Sequence, residues 1–170
     1  MREKFYVFLD IDGVMYDWDY LKSLGRKSFG IIKTFNPDSV QALNYLLETL
    51  NNSYDTELVI SSTWRRDMLD TVKTLKDNGV KMNLRRVFST PIFNESKTRG
   101  EEILSYLSKR QDNQNYVIID DETCDIEPHF SKDRIIKTNI FTSSLKKSMV
   151  DKFLKVNNIP TLSNEDERSL

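Results

Sequence analysis

Two aspartates separated by one residue are the clearest sign of chemistry in this chain. Asp10 and Asp12 follow the apolar run Phe5–Leu9 and precede Gly13. The run is short and rich in aromatic and branched side chains, so it predicts a buried parallel strand. Alternate positions of an extended chain face the same side, so both carboxylates should meet one ligand at the strand's carboxyl end. Gly13 allows the backbone to turn sharply or to approach that ligand closely.

Carboxylates at this spacing repel each other unless a cation or a shared proton relieves the charge. Mg²⁺, a hard ion that prefers oxygen ligands, would give that relief. With a phosphate beyond the ion, one aspartate can attack phosphorus and the other can carry a proton to and from the ester oxygen. The alternative is a strand followed by an acidic turn without chemistry. It is less favoured because the same design returns later in the chain.

The second strand–acid junction lies near the carboxyl-terminal third of the chain. The apolar run Tyr116–Ile119 ends in Asp120 and Asp121, and Asp125 follows shortly after. Carboxylates at the ends of two parallel strands can meet across a sheet and share one Mg²⁺. The repeated junction therefore predicts a metal site that is built from both strands.

Hydroxyl and cationic side chains follow another predicted strand, Glu57–Ile60. Ser61 and Ser62, with free backbone N–H groups between strand and helix, can orient phosphate oxygens. Arg65 could add a bidentate clamp on the same phosphate. The alternative is an ordinary helix cap followed by surface arginines. The acidic first junction favours the interpretation as a phosphate site.

Two cations mark the start of a helix that we predict from Ser96 onward. Lys97 and Arg99 could each neutralise phosphate charge at that position. A surface cation is the more common explanation for either one alone, and the residues themselves leave the choice between them open.

Segment 15–36, after the first acids, interleaves aromatic with basic side chains and is predicted to be irregular. One interpretation is a flap that offers rings for base stacking and cations for phosphates. The other is a loop whose aromatic residues pack on the domain. The residues concerned are Tyr16, Trp18, Tyr20, Lys22, Arg26, Lys27 and Phe29.

The elements around these junctions predict an α/β fold with one doubly wound parallel sheet and helices on both faces. The length of 170 residues suits one domain, which we place at 1–160, followed by a polar tail at 161–170 that we expect to be disordered. The 25 basic and 26 acidic residues nearly cancel, so overall charge predicts no nucleic-acid binder but leaves room for a local patch. Neither a signal peptide nor a membrane span is recognised, which predicts a cytoplasmic protein.

Taken together, these motifs resemble the haloacid dehalogenase-like (HAD) superfamily of phosphatases over nearly the whole chain. Leu9–Val14 resembles that family's first motif, and Ile60–Ser61 resembles the second. Lys97 or Arg99 stands where the third motif's cation belongs, with a slight preference for Arg99. Ile119–Asp121 resembles the fourth, acidic motif.

The resemblance implies a role for each candidate. Asp10 would be the nucleophile that forms an aspartyl phosphate, and Asp12 the general acid and base. Mg²⁺ would be held by Asp10, by the backbone carbonyl of Asp12, and by the pair Asp120 and Asp121, with Asp120 preferred. The residues assigned to the phosphate are Ser61, Ser62, Arg65, Lys97 and Arg99.

Within the superfamily, Ser61–Arg65 and Arg99–Ile103 are most similar to small members with a minimal cap that are related to RNA-repair and polynucleotide-end phosphatases. A thin lid would admit a macromolecular end, so the predicted substrate is a phosphorylated nucleic-acid end, with a free nucleotide next. The alternatives are a catalytically silent module that binds phosphorylated ends or a protein partner, and an enzyme that transfers the phosphoryl group to an acceptor other than water. No particular protein partner is predicted.

Overall fold

The computed structural model describes residues 2–30, 32–92, 97–110 and 112–161. Within these residues, five parallel strands form one sheet in the order β3-β2-β1-β4-β5. The strands are β1 (Lys4–Leu9), β2 (Asp55–Ile60), β3 (Val87–Ser89), β4 (Tyr116–Asp120) and β5 (Ile135–Lys137). The predicted α/β class and parallel sheet are confirmed.

Five α-helices accompany the sheet in the described part of the chain. They are α1 (Trp18–Ser23), α2 (Pro37–Ser53), α3 (Met68–Asp77), α4 (Arg99–Leu107) and α5 (Lys147–Val156). The Asn36 side chain caps α2, and Pro37 lies in the first turn, where its missing N–H costs no helical hydrogen bond. Helices α2, α3 and α4 each lie between two successive strands of the chain, so the parallel strands all end at the same edge of the sheet.

Two predicted helix starts are wrong. Helix α4 begins at Arg99 because the Thr98 side chain accepts from the backbone N–H of Glu101, whose own side chain accepts from Thr98 in return. Ser96, the predicted start, lies outside the described residues. The serine ahead of the helically spaced apolar residues Met149 and Phe153 predicts that Ser144 caps the last helix. Helix α5 instead begins at Lys147, and Ser144 donates its backbone N–H and hydroxyl to Asp17.

The central strand β1 separates two apolar clusters, one on each face of the sheet. Val7 and Leu9 belong to the cluster that contains the inward side chains of α2 and α5, whereas Phe8 packs with Ile103 of α4. Successive residues of a strand point to opposite faces, so β1 contributes to both clusters. Helices therefore cover both faces, as predicted, and β1 is buried along almost its whole length.

Segment 15–36 departs from the irregular structure that was predicted, since it contains α1. Trp18, Tyr20 and Phe29 pack against the main apolar cluster, and the rings of Trp18 and Phe29 lie 5.0 Å apart. This packing agrees with the second interpretation of the segment, a loop that rests on the domain. The basic side chains of Lys22, Arg26 and Lys27, by contrast, are exposed.

None of the helices in the described ranges combines the length and the apolar character needed to cross a membrane. Of the predicted polar tail, Thr161 belongs to the described residues and 162–170 do not. The domain boundary at 160 therefore stays a prediction.

Candidate active site

Three carboxylates meet at the carboxyl edge of the sheet. Strands β1 and β4 pair in register, Leu9 opposite Ile119, and the backbone N–H of Asp10 donates to the Ile119 carbonyl at 3.0 Å. One oxygen each of Asp10, Asp120 and Asp121 lies within 4.8 Å of the other two. Asp10 and Asp120 are buried and Asp121 is half-buried. The sheet thus joins the two strand–acid junctions that the sequence predicts.

The ionisation of this carboxylate cluster (Asp10, Asp120 and Asp121) is strongly perturbed. Burial, followed by the charge of Asp120, raises the pKa of Asp10 to about 8, although Arg99 opposes this shift. Burial also raises the pKa of Asp120 to about 6. The nearby guanidinium therefore does not fully offset the cost of ionising these buried acids. A hard divalent cation bound between the carboxylate oxygens would offset that cost.

Arg99 is the cation that faces this cluster. Its Nη1 lies 2.7 Å from Asp120 Oδ2 and 3.4 Å from Asp10 Oδ1. Lys97 lies on the surface ahead of the first turn of α4. Of the two cations that the sequence left open, the placement therefore favours Arg99.

Asp125, which the sequence places near the shared Mg²⁺ site, contacts the start of α4 instead. In the described part of the chain it is not a member of the carboxylate cluster, and its Oδ2 accepts from the backbone N–H of Arg99 at 2.9 Å. A Cβ on Gly100 would lie only 2.2 Å from the Asp125 carbonyl oxygen. The start of α4 is thus packed directly against the loop that follows β4, which fixes where the Arg99 backbone lies.

Gly13 brings the loop after β1 against the acids of β4. Its φ of +73° belongs to the left-handed region that favours glycine. A Cβ at this position would lie 2.6 Å from Asp121 Cγ. The glycine that follows the first pair of acids is therefore needed for both reasons expected from the sequence, the turn and the close approach.

Asp12 is held apart from the carboxylate cluster. The Tyr16 hydroxyl donates to its Oδ1, and the indole Nε1 of Trp64 lies 3.1 Å from Oδ1 and 3.2 Å from Oδ2. The cluster of described residues that could hold a metal does not include the Asp12 side chain. Sequence analysis missed both aromatic partners. Trp64 lies 52 positions after Asp12, and no local pattern links the two residues, whereas Tyr16 was considered only as part of segment 15–36.

The two predicted phosphate-binding serines lie at the end of β2. The backbone N–H of Ser61 donates to the Leu9 carbonyl at 3.0 Å, which places Ser61 beside Asp10. Its buried hydroxyl has no hydrogen-bond partner among the residues described. The Ser62 hydroxyl interacts with the Asp10 carboxyl and helps to lower the pKa of that group. A phosphate oxygen would satisfy the unpaired Ser61 hydroxyl.

Arg65 contacts the backbone of Ser61 and Ser62, which together form the serine loop. Its Nη1 donates to the carbonyls of Ser61 and Ser62 at 2.8 and 2.9 Å, and its Nη2 lies 2.5 Å from Glu102 Oε2 of α4. Both side chains of this ion pair are less than a tenth exposed. The observed contacts indicate that Arg65 connects the loop to α4. Its predicted contact with phosphate stays a prediction.

Comparison with known proteins adds one match. A family model described as the HAD domain in Swiss Army Knife RNA repair proteins matches residues 6–149. Comparisons with curated proteins and with solved structures find no match. The matched range runs from β1 into α5 and includes both strand–acid junctions, the serine loop and Arg99. It agrees with the resemblance that the motifs indicate.

Proposed function

The chain belongs to the family of HAD domains in Swiss Army Knife RNA repair proteins, and from this we propose that it is a Mg²⁺-dependent phosphomonoesterase acting on the phosphorylated end of a nucleic acid. Membership makes it a phosphatase-like HAD domain. One observation carries the finer proposal, namely that the carboxylates of Asp10, Asp120 and Asp121 come within 4.8 Å while Asp12 is held separately. That division supplies a cation site, a nucleophile and a distinct acid–base group.

In the first step, a carboxylate oxygen of Asp10 attacks phosphorus. The bond between phosphorus and the ester oxygen breaks, its electron pair stays on that oxygen, and the Asp12 carboxyl gives the oxygen a proton. The products are the free alcohol and an aspartyl phosphate on Asp10. Arg99, beside Asp120, and the unpaired Ser61 hydroxyl would bind the phosphoryl oxygens as charge moves onto them.

In the second step, Asp12, now a carboxylate, takes a proton from water as that water attacks phosphorus. The bond between phosphorus and the Asp10 oxygen breaks, and its electrons return to the carboxylate. Inorganic phosphate leaves, and both aspartates regain their initial protonation states. These steps need Asp10 ionised and Asp12 protonated at the start, so the two groups must have different environments. Burial and the charge of Asp120 raise the pKa of Asp10, so the proposed cation beside Asp10 would be needed to favour its ionised form.

The metal proposal depends on the donor set. Asp10, Asp120 and Asp121 would hold the ion, with the Asp12 backbone carbonyl as a further ligand that the resemblance implies. When bound, Mg²⁺ would neutralise phosphate charge and orient the phosphoryl group. The raised pKa of Asp10, due to burial and to Asp120, supports the fit because it marks charge that lacks a sufficient counterion.

The substrate proposal depends on the small cap and on its charge. Helix α1 has six residues, and the exposed side chains beyond its first turn include Lys22, Arg26 and Lys27. Such a surface leaves room for a large substrate and could contact phosphates that flank the reacting one. The rings of the same segment pack on the domain core, so the proposal relies on its cations and no longer on base stacking by Trp18 or Tyr20.

Asp10→Asn tests the reaction because it removes the nucleophile and keeps the shape of the side chain. We expect phosphate release from an aryl phosphate to depend on Mg²⁺ in the wild type and to be lost in the variant. Release by Asp10→Asn at the wild-type rate would overturn the mechanism.

The substrate is tested by comparing rates on 3′-phosphorylated and 5′-phosphorylated oligonucleotides, mononucleotides and sugar phosphates. We expect an oligonucleotide end to be hydrolysed fastest, and a strong preference for sugar phosphates would refute this choice. Binding of a phosphorylated oligonucleotide without any release would instead indicate a catalytically silent module.

A further inference from the structure

The Asp12 carboxylate has its own pair of hydrogen-bond donors. We propose that Tyr16 and Trp64 are positioning residues that hold Asp12 toward the leaving-group oxygen and away from the metal site. The inference rests on the proposed function and deepens it, because it assigns a role to two aromatic residues that the proposed mechanism does not otherwise use. Neither residue needs to touch the substrate for this role.

The donors come from two separate parts of the chain. Tyr16 belongs to the turn after β1, is 3% exposed and donates its hydroxyl to Asp12 Oδ1. Trp64 belongs to the 3₁₀ turn Thr63–Asp67 after β2 and directs its indole N–H between both carboxylate oxygens. Two donors from different loops restrict rotation of the carboxylate more than either donor could alone.

The indole itself is held by its surroundings. The Trp64 carbonyl accepts from the Thr71 hydroxyl of α3 at 2.8 Å, and the Trp64 ring lies 6.1 Å from the ring of Phe35. An indole N–H can only donate, so a carboxylate oxygen is a natural partner for it. The position of Trp64 therefore does not depend on Asp12 alone, so the indole N–H can hold the Asp12 carboxylate in one orientation.

The arrangement leaves room for proton transfer. A carboxylate offers about four lone-pair directions, and the two aromatic donors do not use all of them. The same donors compete with any tendency of Asp12 to turn toward the cation site beside Asp10. A group that must exchange a proton with the ester oxygen gains from such fixed orientation, because small displacements at a reacting centre reduce rates strongly.

The consequence differs between leaving groups. An alkoxide, such as the sugar oxygen of a nucleic-acid end, is a poor leaving group and needs the proton from Asp12. A nitrophenolate leaves readily without it. Misplacing Asp12 should therefore slow formation of the aspartyl phosphate from alkyl phosphates much more than from p-nitrophenyl phosphate, whereas general damage to the fold would slow both alike. Hydrolysis of the aspartyl phosphate is common to both substrates and does not distinguish them.

Trp64→Phe and Tyr16→Phe remove the donors and keep most of each ring. With Mg²⁺ present, we expect kcat/KM for an alkyl phosphate to fall about tenfold or more, and kcat/KM for p-nitrophenyl phosphate to fall less than about threefold, because kcat/KM reports the step in which the leaving group departs. Trp18→Phe is the matched control and should change neither rate, because Trp18 packs against Phe29 in the cap. Equal losses on both substrates, or no loss, would overturn the inference while leaving the proposed function intact. Absence of Mg²⁺-dependent release by the wild type would overturn both.

A second measurement keeps the test decisive if either aromatic variant fails to fold. The chain has two tryptophans, so its NMR spectrum contains two indole N–H resonances. Asp12→Asn should shift the resonance of Trp64 and leave that of Trp18 in place, because only Trp64 donates to Asp12 among the described contacts. An unchanged pair of resonances would contradict the geometry on which the inference depends.

Discussion

Arg99 Nη1 lies 2.7 Å from Asp120 Oδ2, and this contact joins the first residue of α4 to the last residue of β4. The same nitrogen is 3.4 Å from Asp10 Oδ1, so one guanidinium faces acids from both central strands. The cation is thereby fixed relative to the proposed nucleophile and to the proposed metal site at once.

The first prediction concerns the choice between Arg99 and Lys97. Arg99→Gln should lower kcat by about 10² or more, because it removes a fixed positive charge beside the phosphoryl group. Lys97→Gln is the matched control and should change kcat by no more than about twofold, because exposed cations contribute little. Steady-state hydrolysis of an aryl phosphate measures both variants. The reverse ranking would assign the third motif to Lys97.

The second prediction concerns pH in the presence of a chelator. Folded Asp10, with its pKa raised to about 8 by burial and by Asp120, keeps its proton at pH values where the unfolded chain has released it. The contribution of Asp10 to the free energy of unfolding should therefore fall as pH rises from about 4 to about 8. Urea unfolding at pH 6 and pH 8 would measure this loss.

Two controls isolate the cause of that loss. Asp10→Asn cannot ionise, so it should lose less stability than the wild type between the two pH values. Mg²⁺ should stabilise the wild type more at pH 8 than at pH 6, because it binds the ionised carboxylates. A variant with the wild-type pH dependence would show that other groups cause the effect.

The third prediction concerns the close approach of Gly13 to Asp121. Gly13→Ala should reduce the rise in Tm that Mg²⁺ produces, because the added Cβ would lie 2.6 Å from Asp121 Cγ. Gly79→Ala is the matched control, since Gly79 also has a positive φ but an added Cβ would contact nothing within 4 Å. Both changes should cost about 1–3 kcal/mol of backbone strain. If both variants respond to Mg²⁺ like the wild type, the contact with Asp121 does not matter for the metal.

The fourth prediction concerns the buried ion pair of Arg65 and Glu102. Arg65→Met should lower the free energy of unfolding by about 3–5 kcal/mol, because it removes the positive charge from a buried ion pair. The double variant Arg65→Met/Glu102→Leu should recover part of that loss, which chemical denaturation can measure. Exposed Arg66 supplies the control, and Arg66→Met should change stability by less than about 0.5 kcal/mol. A higher KM with unchanged stability in Arg65→Met would instead support the phosphate contact predicted from sequence.

The main features of the candidate site could be predicted because they are local in sequence. Each apolar run that ends in acids, such as Phe5–Leu9 followed by Asp10, carries its strand and its chemistry together. Parallel strands end at one edge of a sheet, so the meeting of Asp10 with Asp120 follows from the fold class alone. The same argument placed Ser61 beside them.

The features that sequence analysis missed depend on contacts between distant side chains. The partner of Arg65 is 37 residues away in α4, and nothing near Arg65 indicates whether it faces a ligand or a buried glutamate. Ser144 resembled a helix cap because serine often has that role, yet its backbone N–H and hydroxyl both donate to Asp17, which lies 127 residues earlier. Such pairings are set by how elements pack, which periodicity does not encode.

The position of β1 in the middle of the sheet has a consequence for synthesis. The ribosome releases β1 and its neighbour β2 long before its other neighbour, β4. A nascent chain can therefore begin to fold around Asp10 while the acids of β4 have yet to be translated. The proposed phosphatase activity, which needs the acids of β4, should then appear only late in translation, and a ribosome that stalls before β4 should carry an inactive polypeptide even if its amino-terminal half had already folded.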